Sequence, residues 1–118
     1  MELVKVSDLD AKVLPKHERV YAREIWSESR GAEKCVVMYN EMEGDGGAEM
    51  HTHSQCEHIF YVLKGKMSVT DGKETVTVSE GESLVVPSGE PHEATGDGED
   101  CIYLLVTAPP AVYSEEEL

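Results

Sequence analysis

Short alternating runs, each cut off by Gly or Pro, are the feature that most restricts what this 118-residue chain can become. His17–Trp26, Lys34–Met42, His58–Lys64, Lys66–Thr70, Lys73–Val78, Ser83–Val86 and Ile102–Val106 all read with the two-residue period of a strand half-buried on one face. Only Ser7–Leu14, capped by Ser7 and stopped by Pro15, suggests a helical turn. About nine or ten short strands with such punctuation specify an all-β, antiparallel barrel or sandwich, because closure removes exposed sheet edges. With 118 residues and no internal repeat, the chain is expected to form one domain, 1–118, around one modest core.

Two local signals refine this. Asp71-Gly72 between Lys66–Thr70 and Lys73–Val78 predicts a tight primed hairpin turn. Gly44-Asp45-Gly46-Gly47 is expected to stop the run Lys34–Met42 and let the backbone approach the next strand closely. A phosphate-cradling role for these glycines is set aside, since no helix with Lys or Ser/Thr follows.

Four of the five histidines fall in two stretches, His51-Thr52-His53 to His58 and Pro87-Ser88-Gly89-Glu90-Pro91-His92. On an extended chain His51 and His53 leave the same face. His58 is in phase with Phe60 and Val62, the interior face of its strand, and the Pro87–Pro91 corner can return His92 from a distant strand. Imidazoles clustered in a small interior leave polar nitrogens without partners unless something satisfies them, and one divalent metal ion does so. His51, His53, His58 and His92 are therefore the expected metal ligands, with Zn, Fe, Ni, Co and Mn all suited to neutral imidazole. His17, between Lys16 and Glu18-Arg19, is expected on the solvent side.

These two stretches resemble the motifs of the cupins. The second cupin motif matches from Gly81 through Pro87 and Gly89 to His92, with Gly96 where the family has Asn. The first matches from His51-x-His53 to Gly65, but counting back six residues from Gly65 places His58, not a carboxylate, at the acidic ligand position. The Gly expected before His51 is displaced, Asp45 holding its place. Glu57 is then an outward residue, an acceptor that orients an imidazole, or the alternative ligand. The resemblance covers roughly residues 44 to 96 and implies the jelly-roll-like, double-stranded β-helix barrel of small cupins. It also implies that the N-terminal region 1–30 stands apart from the motif barrel and contacts a partner subunit in a homodimer, with Trp26 near that contact or, equally, in the core; the proline-broken, acidic stretch 108–118 is expected to be a polar tail.

Charge excludes some partners. At a formal −14 the surface repels phosphate backbones and anionic membranes, so neither nucleic acid nor a membrane is an expected partner. No apolar run approaches membrane-spanning length, and Met1–Leu14 lacks a signal-peptide pattern, so a cytoplasmic location is expected. Three cysteines without Cys-x-x-Cys spacing fit reduced thiols, with Cys56 open as a soft ligand or oxidation-sensitive thiol beside a plain loop residue. Tyr39, Phe60, Val62, Met67, Tyr103 and Cys35 are candidates for the pocket wall by strand phase, each equally consistent with core packing. Four neutral ligands leave the ion's charge uncompensated, which favours a small anionic ligand. The expected function is a metal-dependent enzyme on a small oxygenated acid or carbonyl compound, oxygenase-like or isomerase/lyase-like. The alternatives are a non-catalytic ligand-binding or sensing module, and a structural zinc.

Overall fold

A computed structural model describes residues 1–52 and 55–110; His53 and the expected tail beyond residue 110 lie outside it. Eight strands are described: β1 (His17–Trp26), β2 (Val36–Ala48), β3 (Glu57–Lys64), β4 (Lys66–Thr70), β5 (Thr75–Ser79), β6 (Ser83–Val86), β7 (Glu93–Gly96) and β8 (Cys101–Ala108). The only described helical pieces are single 3-10 turns at Val6–Asp8 and Glu28–Arg30. The expected turn after Ser7 is thus shorter than the sequence suggests, and Lys5, not Ser7, stands before it without a side-chain cap.

All strand pairs are antiparallel, in the order β5-β4-β7-β2-β8-β3-β6 with β1 on β2, and the sheet curls into a nearly closed barrel. β2 holds the two halves together. Its first part, Val36 to Met42, pairs with β8, and at Gly47 it passes to β7 opposite Thr95.

This corrects two expectations. The glycine cluster does not end the strand, because β2 continues through it to Ala48. What the glycines permit is close approach: a Cβ on Gly46 would stand 2.5 Å from the Arg19 carbonyl oxygen, and one on Gly47 would stand 2.9 Å from that of Ala94. Nor does β1 stand apart, since it pairs with β2 from His17–Ala48 to Trp26–Val37 and places Val20 in the core. The hairpin also differs. Thr70 pairs with Thr75, leaving a four-residue loop in which the Asp71 carboxylate accepts from the Lys73 and Glu74 N–H groups at 2.8 Å and only Gly72 has positive φ. A side-chain turn of this kind replaces the two positive-φ residues that a primed turn needs.

The core, including Val20, Met42, Phe60, Val62, Met67 and Tyr103, fills the barrel. On the outer face, a row of apolar side chains crosses five strands in register: Val85, Ile59, Val106, Val37 and Trp26.

Candidate metal centre

Three histidines meet at one end of the barrel. His51 and His92 lie directly opposite one another, each backbone N–H donating to the other's carbonyl at 3.0 and 2.9 Å, so their rings leave the same face with centroids 4.4 Å apart. His58 projects inward from β3, its ring centroid 5.3 Å from that of His92. One ligand nitrogen from each falls within 4.8 Å of the others, close enough for a single ion to bridge all three. His58 and His92 are 4% and 3% exposed, whereas neighbouring Glu57 is exposed on the opposite side of β3. The strand register counted back from Gly65 accounts for this, because a one-residue slip exchanges the two faces.

The far side of each ring is held. His51 Nδ1–H donates to the Glu49 carbonyl at 2.6 Å, and His92 Nδ1–H donates to that of Glu90 at 3.1 Å. His58 Nδ1 meets the Thr107 hydroxyl, directly across β3 and β8, at 2.8 Å. At His51 and His92 the carbonyl partner can only accept, which sets the tautomer and leaves the lone pair on Nε2; His58 matches them when its Nδ1–H donates to the Thr107 hydroxyl oxygen. Burial pushes the imidazoles of both His51 and His92 below the usual histidine range, which keeps their lone pairs available at neutral pH. The cavity between the rings, about 20 Å³, admits one ion- or water-sized body. Donor type, tautomer and volume all fit a divalent metal. Among the described residues no carboxylate lines this cavity.

Of the expected wall residues, Phe60 and Tyr103 line the cavity, with Tyr103 buried and its phenol pushed up to about 12, so that it stays protonated. Val62 and Met67 are buried deeper, in the core. Tyr39 is a correction: alternation along β2 puts it on the outer face opposite Leu104, while Asn40 takes the interior place opposite Tyr103. Cys35 lies outside β2 and is half-buried. Cys56 is buried at 2% exposure, and burial raises the Cys101 thiol to about 11, which suppresses its reactivity.

Two residues of the site, Thr107 and His17, are not among those the sequence places there. Thr107 was findable, because the phase that puts Tyr103 inward in β8 also puts Leu105 and Thr107 there. His17 was not. Its charged neighbours point to solvent, yet it is half-buried and lines the same cavity, its ring centroid 6.2 Å from that of His51.

Known proteins share this fold. The cupin domain family model matches residues 38–107, more than half the chain. An uncharacterised protein of Streptomyces coelicolor is 36% identical over 58 residues, 49% of this chain and 54% of that protein. Another from Methanocaldococcus jannaschii is 29% identical over 68 residues, 58% of this chain and 54% of that protein. These matches span about half the length of the curated relatives. Among solved structures, the polyketide cyclase RemF from Streptomyces resistomycificus is similar over 98% of this chain and 89% of its own, with 30% identity and a TM-score of 0.81. A predicted oxalate decarboxylase from Thermotoga maritima has the same fold, with a TM-score of 0.81 at 19% identity over 92% of this chain and 99% of its own. The chain belongs to the cupin domain family.

Proposed function

We propose that this cupin is a metal-dependent enzyme acting on a small oxygenated carbonyl compound, with isomerase- or lyase-type chemistry. The observation that carries the reading is the set of three histidines, one ligand nitrogen from each within 4.8 Å of the others, around a cavity sized for one ion. Similarity to a protein named as a polyketide cyclase, at 30% identity over nearly the whole chain, adds support for a carbonyl substrate.

A divalent ion bound there would act as a Lewis acid that polarises a carbonyl oxygen. His51, His58 and His92 would hold it through neutral nitrogens, so the protein would not offset its charge and its acidity would remain high. Phe60 and Leu105 wall the cavity and exclude bulk water, which strengthens electrostatic effects inside. Tyr103 keeps its proton at neutral pH.

Exchange of the hydrogens next to a carbonyl tests the reading. Acetylacetone and hydroxyacetone in D2O are followed by NMR with the zinc-, nickel- or manganese-loaded protein. Exchange above the solution rate that disappears in His58→Ala is expected. No acceleration with any metal, for compounds shown to bind, would make the protein a binding module instead.

A further inference from the structure

Beside the metal cavity lies a cleft of about 490 Å³ whose wall includes Lys16, Glu18, Asp45, Glu49 and Glu93. His17 and Ala48 line both spaces, so the His17 ring stands between the ion-sized cavity and the only one of the two with room for a molecule.

The backbone around His17 is unusual. Lys16 and Arg19 have φ of 63° and 51°, the left-handed region that non-glycine residues seldom adopt. The register of β1 on β2 shifts between Glu18 and Val20, and the displaced Arg19 carbonyl rests over Gly46, where no side chain could fit. Contacts hold the bulge in place: Arg19 Nε donates to Asp45 Oδ1 at 2.9 Å, and the Glu49 N–H donates to the Lys16 carbonyl at 2.9 Å. His17 Nδ1–H donates to the carbonyl two residues back, that of Pro15, at 2.8 Å. The same device fixes His51 and His92. Yet His17 is not in the group whose ligand atoms lie within 4.8 Å of one another. It is oriented like a metal ligand and stands outside ligand range.

We infer that His17 is a positioning residue that accepts a hydrogen bond through Nε2 from a hydroxyl or enol of the molecule bound at the metal centre. This rests on the proposed function and narrows its substrate class. With Nδ1–H committed to Pro15, Nε2 is the ring atom left to accept, and the carboxylates of Glu18, Glu49 and Glu93 are acceptors too. A wall with four carboxylates to one ammonium, that of Lys16, suits a neutral hydroxyl- or enol-bearing carbonyl compound and opposes a dianion. On this inference the ligand is a neutral chelating hydroxycarbonyl compound in place of the anion expected from the ion's charge alone, because carboxylates at the mouth repel anions over the Debye length of about 8–10 Å.

Hydroxyacetone, a neutral hydroxyketone whose alcohol keeps its proton at neutral pH, and oxalate, a dianion without a hydroxyl, are the probes, titrated calorimetrically into zinc-loaded wild type, His17→Ala, His17→Leu and His17→Gln, with metal content measured in parallel. Leu fills the space without an acceptor, and Gln restores one. Loss of one hydrogen bond should weaken hydroxyacetone about tenfold in Ala and Leu, less in Gln, with metal content unchanged and oxalate within about twofold. Equal hydroxyacetone affinity in all four proteins overturns the inference, as does loss of metal on replacing His17. Binding of oxalate but not hydroxyacetone by wild type overturns it while leaving the metal centre's ligand-binding role intact; binding of neither probe removes the proposed function as well.

Discussion

At the residue scale, the site rests on a repeated arrangement: a histidine whose Nδ1–H is tied to a carbonyl two positions earlier, as at His51 and His92. The price is paid in protonation. Both rings have lowered pKa values in the fold because burial penalises the charged form. Below the ordinary histidine value of about 6.5, the unfolded chain binds protons that the folded one refuses, so stability falls as pH drops from there toward the lowered values. Urea unfolding of metal-free protein between pH 8 and 5 should show a midpoint that holds above about 6.5 and declines below it, and His51→Gln should flatten that decline. A midpoint that rises on acidification through this range would contradict the burial argument. At this scale the sequence was legible where phase and punctuation coincided: Gly65 sets the register that turns His58 inward and Glu57 outward. It was not legible for Tyr39, because period two sorts residues onto two faces without saying which is inside.

At the scale of elements, β1 and β4 have the very bounds that alternation suggests, His17–Trp26 and Lys66–Thr70. The glycine cluster of β2 reads as a stop because Gly is poor in strands, but here it continues a strand that two others press against. That pressure comes from non-local backbone, which no window of sequence contains. The consequence is testable with Gly46→Ala. Its Cβ would meet the Arg19 carbonyl, a backbone atom that cannot swing aside, so the barrel should lose about 1–3 kcal/mol. The bulge that carries His17 should shift with it. Denaturant unfolding of Gly46→Ala checks this, and a stability equal to wild type would mean that β1 does not bear on β2 as described. Gly31, with nothing within 4 Å of its Cβ position but a φ of 101°, serves as the control for conformational strain alone.

At the scale of the whole molecule, charge and the outer face bear on association. A chain at −14 repels its own copies over most of its surface, while the row from Val85 through Ile59, Val106 and Val37 to Trp26 carries no charge. The expected homodimer is a proposal here, with this row as its centre. A two-fold pair sets the same patch on both subunits, and five strands spaced about 4.8 Å apart give it a breadth of roughly 20 Å. Trp26 would then bring β1 to the contact from its place in the barrel. Light scattering at micromolar concentration should give twice the chain mass for wild type and the chain mass for Val85→Glu with Tyr61→Glu; Tyr61 follows Ile59 on the same face of β3, and Val85 and Tyr61 are 53% and 41% exposed in the single chain. A wild-type monomer would remove the proposal. No described helix is long and apolar enough to cross a membrane.

The proposed function and the role inferred for His17 both depend on the three imidazoles being a metal centre. Metal content by plasma mass spectrometry, on protein purified without added metal and then equilibrated with a limiting divalent ion, measures this directly for wild type, His58→Ala and Glu57→Ala. The account predicts one ion per chain in wild type and Glu57→Ala, and loss of it in His58→Ala with the fold retained by circular dichroism. Retention of the ion by His58→Ala together with its loss from Glu57→Ala would contradict it, as would a wild-type protein that takes up no ion.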